Sequence, residues 1–203
     1  IMSFLMICMI SVMLPRAAVS ATRVDEVLVS HTLIHDPENP KKLPEDGYGE
    51  VTFDHVSFRY PGAEEDVLHD ISFTAKPGQT TAFIGSTGSG KSTLVNLIPR
   101  FYDVTEGKIT LDGEDIRNIT QHELRDKLGY VPQKGILFSG DIASNILYGN
   151  PDGSEEDMKE AATIAQATEF IEAKKKKYQS SISQGGSNVS GGQKQRLSIA
   201  RAI

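Results

Sequence analysis

The chain has 203 residues, of which 38% are hydrophobic and 24% are charged, and its formal net charge is −6. This length and apolar content allow a globular domain with its own core plus further segments, while the acidic balance excludes a broad nucleic-acid-binding surface. The single cysteine, Cys8, excludes an intrachain disulfide, and the five histidines lack the spacing of a metal site.

Residues 1–14 form an uncharged apolar run. As a helix this run would reach about 21 Å, whereas a full membrane span needs about 20 residues. Three interpretations stay open: the second half of a membrane helix, the core of a signal peptide, or a buried helix. Arg16 and Arg23 follow the run, and this order favours the cytoplasmic end of a membrane helix. We expect residues 1–30 to be the end of the last transmembrane helix and its cytoplasmic extension.

Residues 31–49 are expected to be a linker. Three prolines and two glycines lie among residues 36–49, which is typical of a stiff polar connection between domains. A globular domain is expected over residues 50–203. Because the chain begins and ends inside apolar, helix-like patterns, we expect it to be a piece of a longer polypeptide.

The first part of this domain has the pattern of a β-rich unit. Residues 51–60 predict a strand with a bulge, residues 67–75 its hairpin partner, and residues 76–79 a tight turn. Residues 108–111 predict a further strand, which ends in the Asp-Gly hairpin pair at 112–113.

The rest of the domain alternates between strands and helices. Apolar runs at 80–84 and 128–131 predict buried strands. Capping boxes predict helices that start at Thr120 (with Glu123), at Ser154 (with Asp157, through Ala167) and at Ser190 (with Gln193). The alternation of strands and helices predicts an α/β fold with a parallel sheet.

Residues 85–92 read Gly-Ser-Thr-Gly-Ser-Gly-Lys-Ser and match the phosphate-binding pattern G-x-x-x-x-G-K-[ST]. They lie between the predicted strand 80–84 and a predicted helix that Pro99 ends. Glycines can adopt positive φ and present bare N–H groups to an anion, and we expect this of Gly85, Gly88 and Gly90. Lys91 would hold the β- and γ-phosphates, and the Ser92 hydroxyl is a ligand suited to Mg²⁺. The loop's other candidate nucleotide-binding residues are Ser86, Thr87 and Ser89.

Four further segments follow a fixed order along the chain. They contain Tyr60, then Gln133, then Phe138, and finally the run Val189-Ser-Gly-Gly-Gln. Together with the phosphate-binding loop they resemble the nucleotide-binding domain of ATP-binding-cassette (ABC) transporters, and most closely that of multidrug- and lipid-type exporters. Ser190 decides the resemblance, although the family's usual run begins with Leu where this chain has Val189.

The resemblance implies a P-loop ATPase core with an antiparallel β subdomain and a helical subdomain, preceded by the end of a transmembrane helix. It also implies residue roles. Tyr60 would stack on adenine, Thr93 would lie near the α-phosphate, and Gln133 would contact Mg²⁺ and the attacking water, so Lys91 and Gln133 are the catalytic candidates. The γ-phosphate of ATP held by an opposing subunit would be bound by Ser190, Gly191, Gly192 and Gln193.

The implied cofactors are ATP and Mg²⁺. The implied partners are a second nucleotide-binding domain, in a homodimer or a heterodimer, and the chain's own or a partner's transmembrane domain, with no nucleic acid. Phe138 and residues 139–146 would face that transmembrane domain, although Phe138 could instead pack in the core. The full-length protein would be an integral membrane protein with its nucleotide-binding domain in the cytoplasm.

In the family, the Walker B Asp, the catalytic Glu and the switch His come after the Ser-Gly-Gly-Gln helix, and residue 203 precedes them. The order and context of Asp112, Asp115 and Asp141 exclude them as substitutes. We therefore expect residues 1–203 to be inactive alone and marginally stable, since the sheet would lack an inner strand.

Three alternatives stay open. The first is a catalytically degenerate subunit of a heterodimeric transporter. The second is a soluble ABC ATPase without a transport role, which the apolar N-terminal run disfavours. The third is a P-loop kinase or GTPase, which has no use for the Ser-Gly-Gly-Gln run.

Overall fold

The computed structural model describes residues 1–44 and 47–203. The chain starts with a long helix, α1 (Met2–Leu28), which is long and apolar enough to cross a membrane. None of its residues is buried against the rest of the described chain. The helix continues through Pro15, and the predicted apolar run 1–14 forms its first half.

An antiparallel sheet forms the first structural unit. Its strands are β1 (Val51–Phe58), β2 (Leu68–Ala75), β3 (Glu106–Leu111) and β4 (Glu114–Asp115), in the spatial order β2-β1-β3-β4. The predicted bulge in β1 is confirmed, because the register against β2 shifts on both sides of Val56. The predicted turn at 76–79 is confirmed by a 3.2 Å hydrogen bond from Gln79 N to Lys76 O. Positive φ angles of 49° and 83° at Asp112 and Gly113 confirm the hairpin turn between β3 and β4.

Two short helices cover this sheet, α2 (Lys91–Leu97) and α3 (Gln121–Asp126). The Thr120 hydroxyl caps α3 by accepting a hydrogen bond from Glu123 N, as predicted. The reciprocal bond of the predicted capping box is not formed, because the Glu123 carboxylate accepts the Leu43 N–H instead, at 2.9 Å. Leu97 and Leu124 are fully buried between the helices and the sheet, in one hydrophobic cluster with Phe53, Val56, Phe58 and Ile109.

The second structural unit is helical. It contains α4 (Ile142–Ile146), α5 (Glu155–Ile164), α6 (Thr168–Glu172) and α7 (Gly191–Ala202), with a two-stranded antiparallel ribbon of β5 (Gly140–Asp141) and β6 (Ser181–Ile182). Short 3₁₀ segments also occur, at Ile116–Asn118, Lys177–Gln179 and Gln184–Gly186. The helices share a hydrophobic cluster that includes Ile142, Ala162, Ile171 and Leu197.

The predicted helix starts in this unit agree with the structure, and one predicted end does not. Complete capping boxes begin α5 at Ser154 and α7 at Ser190. The predicted helix through Ala167 ends at Ile164, because Gln166 adopts a left-handed backbone conformation with φ of 55°. A new helix, α6, then starts at Thr168.

The predicted buried strands at 80–84 and 128–131 are wrong for the described residues. Both segments are irregular, and Ile84 is 97% exposed. A strand needs a neighbour to pair its N–H and C=O groups. Within residues 1–44 and 47–203 no strand lies beside either segment, so the sheets that form are antiparallel and the expected parallel sheet does not form.

A histidine–carboxylate pair joins the bulge of β1 to β2. His55 and Asp70 both have positive φ, of 50° and 49°, and the His55 Nδ1 lies 2.6 Å from an Asp70 carboxylate oxygen. The hydrogen bond to Asp70 raises the pKa of His55 above its usual value. A raised pKa in the folded state stabilises the fold below the unfolded pKa, and this stabilisation is lost as the pH rises through the folded pKa.

We predict that Asp70→Asn will return the pKa of His55 towards its ordinary value, because the carboxylate is removed while asparagine still tolerates positive φ. An NMR titration of the ¹³C-labelled histidine rings measures this shift. The thermal unfolding midpoint of the variant should fall further below that of the parent at pH 6 than at pH 8.5. An equal difference at both pH values would contradict the prediction.

Candidate nucleotide-binding site

Glycine geometry shapes the loop at residues 85–92. Gly88 and Gly90 have φ of 86° and 83°, as expected for close approach of backbone to a ligand. The same expectation for Gly85 is wrong, because Gly85 does not have a positive φ. Its lack of a side chain has a steric reason instead, since a Cβ there would lie 2.7 Å from Ser89 Oγ. At Gly90 a Cβ would lie 2.8 Å from a Leu68 methyl carbon, so only glycine lets the loop approach β2 this closely.

The first turn of α2 has no side-chain cap. Gly90 is its N-cap residue, and Leu94 N is the first amide to donate back along the helix, to Gly90 O at 2.8 Å. By contrast, side chains of Thr120, Asp141, Ser154 and Ser190 cap α3, α4, α5 and α7. The N–H groups of the first turn of α2 therefore remain available to an anion, at the positive end of the helix dipole.

The Lys91 ammonium lies across this loop. It donates to Gly85 O at 2.9 Å, to Ser86 O at 2.6 Å and to Ser89 Oγ at 3.1 Å. Ser92 follows in the same helical turn and is exposed to solvent. A full positive charge, several free N–H groups and an exposed hydroxyl thus lie together, and this combination can bind a phosphate chain.

Tyr60 is held beside the same helix. Its hydroxyl forms a 2.9 Å hydrogen bond with Thr93 Oγ1, and its ring packs edge-on against Phe58 and Tyr102, with centroids 4.9 Å and 5.2 Å away. The structure therefore brings together two predicted site residues that are 33 positions apart in the chain. The ring is only partly buried, so part of its surface remains open beside the loop.

Gln133 lies in an exposed irregular segment. This segment is attached to α2 through Tyr130, whose hydroxyl donates to Asn96 Oδ1 at 2.6 Å and whose ring packs edge-on against Phe101. Ser92 and Gln133 supply a hydroxyl and an amide oxygen, and these hard donors suit Mg²⁺, which keeps several waters and phosphate oxygens as ligands. In the part of the chain that the structure describes, no cluster of three His, Cys, Asp or Glu side chains offers an alternative metal site.

The run from Ser190 to Gln193 forms the N-terminus of α7. Ser190 Oγ accepts from Gln193 N at 3.3 Å, and Gln193 Oε1 accepts from Ser190 N at 3.1 Å, so the Ser190 hydroxyl proton is still free to be donated. Gly191 and Gly192 are exposed, and a Cβ on either would meet no described atom within 4 Å. This run starts a helix of the helical unit, whereas α2 packs on the antiparallel sheet. No described hydrogen bond joins the run to α2.

Arg201, at the end of α7, was not among the residues predicted from sequence. Its guanidinium donates to Asn145 O and to Asn145 Oδ1, both at 2.9 Å, and to Ile136 O at 3.0 Å. It also lies over the rings of Phe138 and Tyr148, 5.1 Å and 5.6 Å from their centroids. Burial lowers the pKa of Arg201. Nothing local in the sequence indicates these contacts, because they join residues more than fifty positions apart.

Phe138 is 45% exposed, so its interpretation as a core residue is wrong. Asn145, which is 1% exposed, holds the backbone next to it by accepting from Phe138 N and donating to Phe138 O, both at 2.9 Å. The end of α7 is therefore connected, through Arg201 and Asn145, to an exposed aromatic surface that includes Phe138.

The three loop carboxylates considered in the sequence all have structural partners. Asp112 accepts from Gly49 N and Glu50 N, Asp115 pairs with Arg117, and Asp141 caps α4. Each partner fixes a turn or a helix start, and this agrees with their exclusion as general bases.

The sequence model of the family described as ABC transporter matches residues 68–203. The chain belongs to the ABC transporter family. It is 49% identical over its whole length to an uncharacterized ABC transporter ATP-binding protein of Mycobacterium tuberculosis, and 43% identical over 93% of its length to another of Bacillus subtilis. It covers 35% and 32% of these two proteins, so it spans about a third of their length.

A Staphylococcus aureus protein, named as a putative multidrug export ATP-binding/permease protein, is 48% identical over 75% of the chain, which covers 26% of that protein. Among solved structures, a bacterial Atm1-family ABC exporter with ATP bound matches 93% of the chain with a TM-score of 0.85 and 36% identity. The chain covers 32% of that exporter. These matches confirm the predicted ABC ATPase fold and the resemblance to exporters.

We predict that Asn145→Ala will lower the free energy of unfolding by about 2–3 kcal/mol, because it leaves buried partners unsatisfied. Those partners are the Phe138 backbone groups and one Arg201 N–H. Denaturant titration followed by circular dichroism measures the change. Gln195→Ala, at an exposed position of α7, is the matched control and should change stability by less than about 0.5 kcal/mol. Equal stability of the two variants would contradict the prediction.

Proposed function

We propose that this chain is the ATP-binding and ATP-hydrolysing part of an ABC exporter, in which ATP-driven dimerisation and hydrolysis are coupled to export of a substrate across a membrane. The observation that carries the proposal is the uncapped first turn of α2 with the Lys91 ammonium beside it. The exporter assignment is supported by the names of the relatives and by the exposed apolar helix α1.

In this proposal the β- and γ-phosphates take the place of the loop oxygens that Lys91 now contacts. Loop N–H groups and the first turn of α2 would bind the remaining phosphate oxygens, with the Thr93 hydroxyl near the α-phosphate. Tyr60 would stack its ring on adenine, an interaction worth about 1–3 kcal/mol. Its hydrogen bond to Thr93 would fix the distance between the base and the phosphates.

Ser92 and Gln133 would hold Mg²⁺, which when bound neutralises charge on the transferring phosphate and orients its oxygens. Gln133 would also orient the attacking water. Because the contacts described between this segment and α2 are made by the Tyr130 side chain, the proposal assigns the Gln133 segment the second role of reporting bound nucleotide to the helical unit.

A second nucleotide-binding domain, identical or different, would complete the site. Glycine in a helix costs about 1 kcal/mol relative to alanine, yet nothing described in this chain requires glycine at 191 or 192. Close approach of a partner's ATP supplies the reason. The free Ser190 hydroxyl proton and the N–H groups of Gly191 and Gly192 would then bind its γ-phosphate. Closing the dimer around ATP and opening it after hydrolysis would drive the membrane domain.

The proposal places α1 in the membrane and the nucleotide-binding domain in the cytoplasm. Phe138 and Tyr148, whose ring centroids lie 4.5 Å apart beside the Arg201 guanidinium, would contact the transmembrane domain. Movement of α7 by the partner's ATP would reach that contact directly, because Arg201 is part of the same helix as Ser190.

We predict that Lys91→Ala in the full-length chain will weaken ATP binding about 10- to 100-fold, which is the loss of a charge-assisted contact worth about 1.5–3 kcal/mol. Titration with a fluorescent ATP analogue measures the affinity. Lys76→Ala, in the turn after β2, is the control and should bind like the parent. Unchanged affinity of the Lys91 variant would remove the basis of the proposal.

The variant Gly192→Ala tests whether the ATP of a second subunit approaches this glycine closely. We predict that it will raise the stability of the chain by up to about 1 kcal/mol, since the added methyl group meets nothing and alanine favours helix. In the full-length protein the same variant should bind ATP normally and lose ATP-dependent dimerisation and hydrolysis. Thermal unfolding, nucleotide titration, light scattering and an assay of released phosphate measure these effects separately. A variant that is stabilised and dimerises with ATP like the parent would show that no partner approaches this glycine.

A further inference from the structure

The segment predicted as a linker lies against the nucleotide-binding unit. We call residues 35–43 the strap. The Asp36 carboxylate accepts from Gln121 N at 2.8 Å and from Gln121 Nε2 at 3.2 Å, so it caps the first turn of α3 from outside. The Lys41 N–H donates to Asn118 O at 2.8 Å, and Leu43, 8% exposed, packs into the sheet cluster. The strap therefore has a defined docking position.

Arg100 joins the strap to the phosphate-binding helix. It is 4% exposed, forms a bidentate pair with Asp103 at 2.7 Å and 3.1 Å, and donates from Nη2 to His35 O at 3.2 Å. Its Nη1 is buried without a described partner, and its backbone has a φ of 53°. A buried guanidinium with an incomplete set of partners depends strongly on each contact it retains. The strap carbonyl is one of these contacts.

Arg100 is also fixed to α2. Its N–H donates to Leu97 O at 3.1 Å, on the last turn of the helix. Arg125 of α3 braces the same point by donating to Pro99 O at 3.1 Å and to Arg100 O at 3.3 Å. Because α2 is about 10 Å long, a shift of its C-terminal end moves Lys91 and Thr93 at the other end.

The strap is the described connection between α1 and this unit. No residue of α1 is buried, and the chain from Val29 to Ile34 forms no helix or strand. Among the described residues, a displacement of α1 therefore reaches α2 through the strap and Arg100.

We propose that the strap is a conformational device that sets the affinity of the phosphate-binding loop, and that Arg100 is the positioning residue through which it acts. The docked strap holds α2 where Lys91 and the first-turn amides fit the phosphates, and release of the strap loosens that fit. The inference rests on the proposed function, because the affinity that it modulates is that for ATP.

The proposal can be tested without ATP hydrolysis, because strap docking and ATP binding must be thermodynamically coupled. If docking favours ATP binding, ATP must favour docking by the same factor. The bond between Lys42 and Leu43 reports docking, because trypsin cuts after exposed lysine but needs an extended, accessible chain, and Leu43 is buried with its N–H bonded to Glu123. Cleavage at this bond measures the undocked population when opening is fast.

The experiment compares five forms of the full-length chain: the parent, Asp36→Ala, Asp36→Asn, Glu38→Ala and Arg100→Lys. Asparagine keeps an oxygen that can accept from Gln121, so it should restore docking. Glu38 is an exposed strap residue, and its replacement removes the same charge as Asp36→Ala. For each form we measure the rate of trypsin cleavage at Lys42–Leu43, with and without a non-hydrolysable ATP analogue and Mg²⁺, and the affinity for that analogue.

We expect the analogue to slow cleavage of the parent about fivefold or more. Asp36→Ala should cleave faster and bind the analogue more weakly by a similar factor, whereas Asp36→Asn and Glu38→Ala should resemble the parent. Arg100→Lys should increase cleavage and weaken binding together. An Asp36→Ala chain that cleaves faster but binds with parental affinity would overturn the inference while leaving the proposed function intact. Failure of the parent to bind the analogue would overturn both.

Discussion

The open first turn of α2 is the constraint on which the site depends. Four other helices, α3, α4, α5 and α7, satisfy initial N–H groups with a hydroxyl or carboxylate at the N-cap position, as Ser154 does for α5. At α2 the N-cap position is a glycine with φ of 83°, and a larger residue there would collide with Leu68. The close packing of the loop against β2 therefore requires glycine at the N-cap, and glycine has no side chain to cap the helix. The first N–H groups of α2 are left able to donate to an anion.

The proposed second anion site, at the start of α7, has the opposite design and adjoins a separate hydrophobic cluster. Ser190 completes a capping box and still has a proton to donate, so α7 is stable before any ligand arrives. Arg201 at the far end of the same helix connects it to Phe138 and Asn145. One helix, α7, thus joins the end proposed to face a ligand to an exposed aromatic surface, which is the arrangement that a mechanical coupling element requires.

Features with a local physical cause could be predicted from the sequence, and features that depend on distant contacts could not. The turn at Asp112-Gly113 and the caps at Ser154 and Ser190 follow from neighbouring residues alone. The prediction of a strand at 80–84 is wrong because a strand needs a neighbouring strand for its hydrogen bonds, and the pattern of apolar residues does not show whether that neighbour is present. The docked strap and the Arg201 contacts were missed because polar pairs separated by dozens of residues leave no pattern in the chain.

The double hydrogen-bonding role proposed for Ser190, as helix cap and as phosphate donor, limits which residues can replace it. Alanine would remove the phosphate donor and also fray the start of α7, so a null phenotype there would mix two defects. Aspartate could keep the helix start but would place a negative charge where a phosphate must approach. Threonine alone retains both the oxygen that caps the start of α7 and a proton to donate, with an additional methyl group at the proposed contact between two subunits. A survey of variants at position 190 would thus measure how closely the subunits of the proposed dimer approach each other.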